Sequence, residues 1–317
     1  VIRNSRGALA AIGRLSRHAA RRGTTGAMLL GALMMCTASA AEAAEFFASF
    51  KDDLFAYPPL SATRDGGRYT DVDYAEVRDI NGRDEVPERR VRSAYVDLAP
   101  LRHQAESSVD TPAGPLPIMT VGHAATPSAI VLFIHGRNGD RRLGMNDRTF
   151  GGNFNRLKNL IDRAGGLYVT ADAGRFDAPD RQRIASLVRQ LAQRAPGAKL
   201  ILACASMGGG LCWQIMGEAD VARNVDGLIM LGASNDRAAF DAMAAVAGRP
   251  IPLMIAHGTR DQVSPFERQD GLYAAIRKAR PDYPLRFVAF EGGTHGTPIR
   301  MIDWRETLNW IVGASSE

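Results

Sequence analysis

The chain has 317 residues, 45% hydrophobic and 23% charged, with 32 Gly and 16 Pro. It is too apolar and too evenly mixed for a disordered chain, and long enough for one large domain or two small ones. Three Cys exclude a disulfide scaffold, and no Cys/His spacing reads as a zinc motif. The formal charge of +5 is no nucleic-acid signal, because six of the 39 basic residues and one of the 34 acidic ones lie in residues 1–44, leaving the remainder balanced at 33 and 33.

Residues 1–44 read as a signal peptide. An Arg-rich start ends at Arg21-Arg22, an apolar stretch follows over 26–35, and Ala38-Ser39-Ala40 and Ala41-Glu42-Ala43 both fit an A-x-A cleavage site. The apolar stretch is too short to span a bilayer, so no integral membrane segment is expected once the leader is cleaved. Cys36 follows Leu33-Met34-Met35, whereas lipid attachment wants small residues there. The expected location is periplasmic or secreted. Cys204 and Cys212 then remain; a bridge is chemically allowed outside the cytoplasm, but a strand-end Cys and one in the second turn of the next helix are expected to lie too far apart, leaving two free, buried thiols.

Residues 45–90 form a poorly defined N-terminal extension. Phe46, Phe47, Phe50, Leu54 and Phe55 have the spacing of one helix face before Pro58-Pro59 breaks it, and 61–90 reads as loop or extended wrapping. From residue 91 to 317 the rhythm is that of one domain. Residues 91–98 alternate weakly and predict a strand, as do 116–121; 129–134 is a continuous apolar run, as for a strand covered on both faces. Helices are then predicted over 153–164, 178–194, 207–218, 237–246, 265–279 and 299–312, with strands over 167–171, 199–203, 227–231, 252–256 and 285–290. Strands first and strand–helix repeats after predict an α/β class with a mostly parallel central sheet, helices on both faces, and ligands at the carboxyl ends of the strands.

The informative residues therefore follow the strands. After 199–203 comes Cys204-Ala205-Ser206-Met207-Gly208, a serine at a strand-to-helix turn with small residues two positions either side. After 129–134 comes His135-Gly136-Arg137-Asn138-Gly139; after 252–256 comes His257-Gly258-Thr259-Arg260-Asp261-Gln262-Val263-Ser264-Pro265; after 285–290 comes Gly292-Gly293-Thr294-His295-Gly296. These four motifs, with Ser206, Asp261 and His295 following one another in that chain order, resemble the α/β-hydrolase superfamily and its carboxylesterase-like serine esterases. Cys204 departs from the family's usual Gly. The resemblance covers 91–317 and implies the α/β-hydrolase fold, with Ser206, Asp261 and His295 as catalytic triad and the backbone amides of Met207 and Arg137 as oxyanion hole.

That resemblance implies a serine hydrolase cleaving carboxylic esters through an acyl-enzyme, with no cofactor and no metal, and the leader adds the expectation that it is exported. The expected partner is a small-molecule or carbohydrate or lipid ester, not nucleic acid. A peptidase, thioesterase or lipase using the same triad stays open, as does a non-catalytic binding protein of this fold. Asp236 is the nearest rival for the acid. His135 and His257 are expected to shape loops, while His18, His103 and His123 carry no signal. Arg141 and Arg142, in an Arg cluster after the oxyanion loop, are either solvated or recognise an anionic part of the substrate. The interval between the strands at 227–231 and 252–256 holds one short helix, leaving no room for a cap domain.

Overall fold

The computed structural model describes residues 45–85 and 90–316; the expected leader, 1–44, lies outside them. The described residues fall within one compact unit, 44–317. In chain order they form α1 (Asp52–Phe55), β1 (Leu60–Arg64), β2 (Tyr69–Val72), β3 (Asp84–Glu85), β4 (Arg90–Val91), β5 (Gln104–Val109), β6 (Leu116–Gly122) and β7 (Ala129–Ile134). Next come α2 (Asn153–Arg163), β8 (Leu167–Ala171), α3 (Ala178–Arg194), β9 (Lys199–Ala205), α4 (Met207–Met216), α5 (Ala219–Ala222) and β10 (Gly227–Leu231). The last are α6 (Arg237–Val246), β11 (Leu253–Gly258), α7 (Phe266–Ala279), β12 (Leu285–Phe290), α8 (Thr297–Met301) and α9 (Trp304–Ala314).

Ten strands make one sheet in the order β1-β2-β12-β11-β10-β9-β7-β8-β6-β5. From β2 through β8 every neighbouring pair is parallel. Antiparallel pairing in this sheet lies at its two edges, β1 with β2 and β5 with β6 with β8, while β3 and β4 form a separate antiparallel pair. β7 shows why its sequence is a continuous apolar run. Ile130, Leu132 and Ile134 pack into one core layer, with α3, α4, α6 and α7, while Ala129, Val131 and Phe133 pack into the other, with α2 and α9. Period-two alternation across a sheet covered on both faces demands apolar residues at every position.

The N-terminal segment belongs to this architecture. β1 and β2 extend the sheet beyond β12, in the stretch that the sequence reads as loop or extended wrapping. Phe47 is fully buried and its backbone is clasped by the Asn309 amide and the Arg305 Nε of α9. The helix predicted from the Phe spacing shrinks to the single turn α1. Arg156 of α2, itself fully buried, bridges Asp303 ahead of α9 and Asp52 of α1, both at 2.9 Å. A charge so deep is tolerated only because it is paired. The strand predicted over 91–98 is likewise short: β4 ends at Val91, and β5, which follows at 104–109, is nearly all exposed and so lacked an apolar signature.

Candidate active site

β9 ends at Ala205 and α4 starts at Met207, so Ser206 alone makes the turn. It does so at φ 49°, ψ −120°, a left-handed φ that costs a non-glycine residue on the order of 1–3 kcal/mol. The turn is held by Ser206 N donating to Leu231 O and Gly209 N donating to Ser206 O, each at 3.0 Å. The space around it is filled by backbone. A Cβ on Gly208 would stand 2.5 Å from His135 O and 2.6 Å from Ile134 O, and one on Gly136 would stand 2.9 Å from the Ser206 Cβ. Small residues at both places let β7, its following loop and α4 converge on the serine.

Cys204 and Cys212 are joined by a disulfide, with Cα atoms 6.5 Å apart. The two free thiols expected from the sequence are therefore corrected to a bridge. The physical reason is the tightness of the turn: α4 begins one residue past the strand and doubles back, so its second turn lies beside the end of β9 rather than beyond reach. Both residues are fully buried, and the bridge closes the segment that carries Ser206.

Three strand ends bring Ser206, His295 and Asp261 together. His295 Nε2 is 2.8 Å from Ser206 Oγ and His295 Nδ1 is 2.8 Å from Asp261 Oδ2. The Asp261 side chain is fully buried, whereas that of His295 is 28% exposed. The other Asp261 oxygen, Oδ1, accepts the backbone amides of Val263 and Ser264 at 2.8 and 2.9 Å. Beneath it lies His257, fully buried, whose Nε2 donates to Ser264 O at 2.7 Å and stands 3.1 Å from Asp261 Oδ2. Burial pushes the His257 pKa below its ordinary value, which keeps the ring neutral beside the carboxylate.

The remaining residues singled out in the sequence fall into place around this relay. His135 Nδ1 donates to Gly136 O at 2.7 Å and its Nε2 accepts the Ala173 amide at 3.0 Å, so it pins the loop that carries Arg137. The Met207 amide, at the first position of α4, has no partner one turn back. Neither it nor the Arg137 amide donates to a protein acceptor among the described residues. Asp236 is exposed and caps α6 through the Ala239 amide, away from His295. Asp177 caps α3. Arg141 is held by Asp172 and Glu106, and Arg142 by Asp140 and Glu106. Neither arginine lines the cavity at Ser206.

That cavity is about 280 Å³ and is walled by Phe176, Met207, Leu211 and Val263, with Gln214, Ser234 and Ser264 as further polar groups beside Ser206 and His295 and no Lys, Arg, Asp or Glu among its described lining residues. No described residue of 45–90 lines it. The sequence reading missed Phe176, Leu211, Gln214 and Val263 as wall residues. Val263 lies inside the motif read for Asp261 and is 69% exposed, an apolar side chain whose exposure only the fold reveals. Phe176, at φ 57°, meets the His135 ring edge-on at 5.7 Å.

No family model matches the sequence, and no curated protein matches it. Solved structures do. The feruloyl esterase module from Clostridium thermocellum, a serine-to-alanine variant complexed with sinapinate, superposes with a TM-score of 0.52 at 15% identity over 70% of this chain and 92% of that one. The chain has the α/β-hydrolase fold. An α/β serine hydrolase without lid from Xanthomonas campestris matches at TM-score 0.47 and 17% identity, over 67% of this chain and 94% of that one. A serine hydrolase homologue from Coxiella burnetii matches at 0.45 and 19%, over 65% and 95%. Within this α/β-hydrolase fold, β10 and β11 are joined by α6 alone, so no cap domain sits between them.

Proposed function

We propose that this α/β-hydrolase is a serine hydrolase that cleaves carboxylic esters with Ser206 as nucleophile, His295 as general base and Asp261 as the group that orients and stabilises the imidazole. The observation that carries this reading is the continuous relay from Asp261 Oδ2 through His295 to Ser206 Oγ, with both links 2.8 Å. Ser206 Oγ attacks the ester carbonyl carbon as its proton passes to His295 Nε2. The carbonyl oxygen becomes an oxyanion and takes the Met207 and Arg137 amide N–H groups, donors that cost no reorganisation as charge develops. Collapse expels the alcohol with the proton from His295. Water then attacks the acyl-Ser206 carbonyl by the same route, releasing the acid.

The cavity supports an uncharged substrate. Its apolar walls and lack of Arg or Lys favour an acyl or aryl group over an anionic one, and the salt-bridged Arg141 and Arg142 offer no free charge to the site. Its openness, without a cap, suits a small acyl group on a larger or soluble alcohol. We also propose export to an oxidising compartment. The leader pattern supports it, and so does the Cys204–Cys212 bridge, because disulfides persist outside the reducing cytosol. An active-site-directed fluorophosphonate tests the chemistry: peptide mapping is expected to place the adduct on Ser206, with labelling lost in His295→Ala. Labelling at another residue, or none in the folded protein, contradicts it.

A further inference from the structure

Away from Ser206, His103, His123 and Asp162 converge from three elements. His103 immediately precedes β5 and His123 immediately follows β6. Gln104 is paired with Val121 in that antiparallel ladder, so the two imidazoles flank the open end of the β5–β6 hairpin. Asp162 comes from the last turn of α2. The three donor atoms lie within 4.8 Å of one another. His103 Nδ1 is 2.6 Å from Asp162 Oδ1, and His123 Nε2 is 3.8 Å from the same oxygen. The Asp162 side chain is only 6% exposed, against 34% for His103 and 50% for His123.

Two features separate this cluster from an ordinary His–Asp hydrogen bond. Among the described residues no Lys or Arg pairs with Asp162; the nearly buried carboxylate is faced only by the two imidazoles. And one hydrogen bond accounts for one imidazole: His123 Nε2 stands near the same oxygen but beyond hydrogen-bonding distance. A cation shared by all three donors would neutralise the carboxylate and engage both rings. We propose that His103 Nδ1, His123 Nε2 and the Asp162 carboxylate bind a divalent transition-metal ion of the zinc type, which staples the edge hairpin β5–β6 to α2.

The donor chemistry selects the ion. Two imidazole nitrogens and one carboxylate suit Zn²⁺ at about 2.0–2.2 Å per ligand, whereas Ca²⁺ and Mg²⁺ want cages of oxygen. Tetrahedral ligands at that length stand roughly 3.3–3.5 Å apart. The His103–Asp162 distance therefore opens and the His123–Asp162 distance closes, each by less than about 1 Å, while the two imidazole nitrogens, no more than 4.8 Å apart, close by up to about 1.5 Å; the rings, 34% and 50% exposed, have room to do so. With the two rings 34% and 50% exposed, water can supply a fourth ligand. Gly122 pairs with Leu167 at the start of β8, so the ion sits at the opposite end of the sheet from Ser206, where it stabilises and takes no part in the reaction.

The test is a titration of the purified, untagged protein with zinc chloride by calorimetry, alongside thermal melts. The wild type is expected to bind one ion saturably and to melt higher with zinc present. His103→Ala and His123→Ala each weaken binding at least tenfold, and the double variant loses both the binding and the melting shift. His123 is half exposed, so His123→Ala without zinc should melt near the wild type and still hydrolyse esters if the wild type does, which separates loss of the ion from loss of the fold. No saturable zinc binding, or a double variant that binds as the wild type does, overturns the proposal.

Discussion

Ser206 holds a backbone conformation that only its surroundings make tolerable, and those surroundings were partly readable. The small residue at Gly208 was legible from its spacing to the serine; the reason for it, backbone carbonyls of β7 and its loop 2.5–2.6 Å from a would-be Cβ, was not. Gly208→Ala is expected to fold but to push α4 off the loop, costing about 1–3 kcal/mol and at least tenfold in ester turnover, checked by thermal melts beside kinetics. His257 contributes differently. Burial lowers its pKa, so on acidification the unfolded chain takes up this proton first. Its contribution to stability is therefore complete above the ordinary value of 6.5 and is lost as pH falls through that value toward the folded one. His257→Gln is expected to flatten the fall in melting temperature below pH 6.5; an unchanged pH dependence contradicts this account of the residue.

Among elements, the strand-to-helix unit β9–α4 was predicted nearly to the residue because the apolar run, the serine and the glycines all point the same way. The Cys204–Cys212 bridge within it was not legible. Sequence separation suggests divergence, and only the abruptness of the turn brings the two Cα atoms to 6.5 Å. Closing so short a loop contributes roughly 2–3 kcal/mol in the chain-entropy account. The Cys204→Ala/Cys212→Ala double variant is expected to lose about that much in denaturant unfolding while keeping the Ser206–His295 geometry, read as a retained though reduced esterase rate. A double variant as stable as the wild type would show that the elbow needs no clamp. The edge strand β5 escaped prediction for the opposite reason: its outward face is polar and its residues are largely exposed, so no apolar period marks it.

Over the whole molecule, the segment 45–85 was the least legible part because its apolar residues are scattered. They become meaningful only against α9, β12 and the Arg156 bridge. Phe47 is expected to behave as a core residue: Phe47→Ala should cost about 3–5 kcal/mol without altering the KM of any ester that is turned over, since the segment does not reach the cavity. A large change in KM with unchanged stability would instead place this segment over the substrate. The fold itself was legible because four motifs stand at four strand ends. The cavity walls were not, because Phe176, Gln214 and Val263 belong to three loops and helices that meet only in space.

Hydrolysis of p-nitrophenyl esters of increasing chain length, by the wild type and by Ser206→Ala, tests the central claim most directly. A rate that depends on Ser206 and peaks at short acyl chains is the predicted result. Equal rates from the two proteins on every ester, with both folded, would contradict the assignment of Ser206 as the nucleophile.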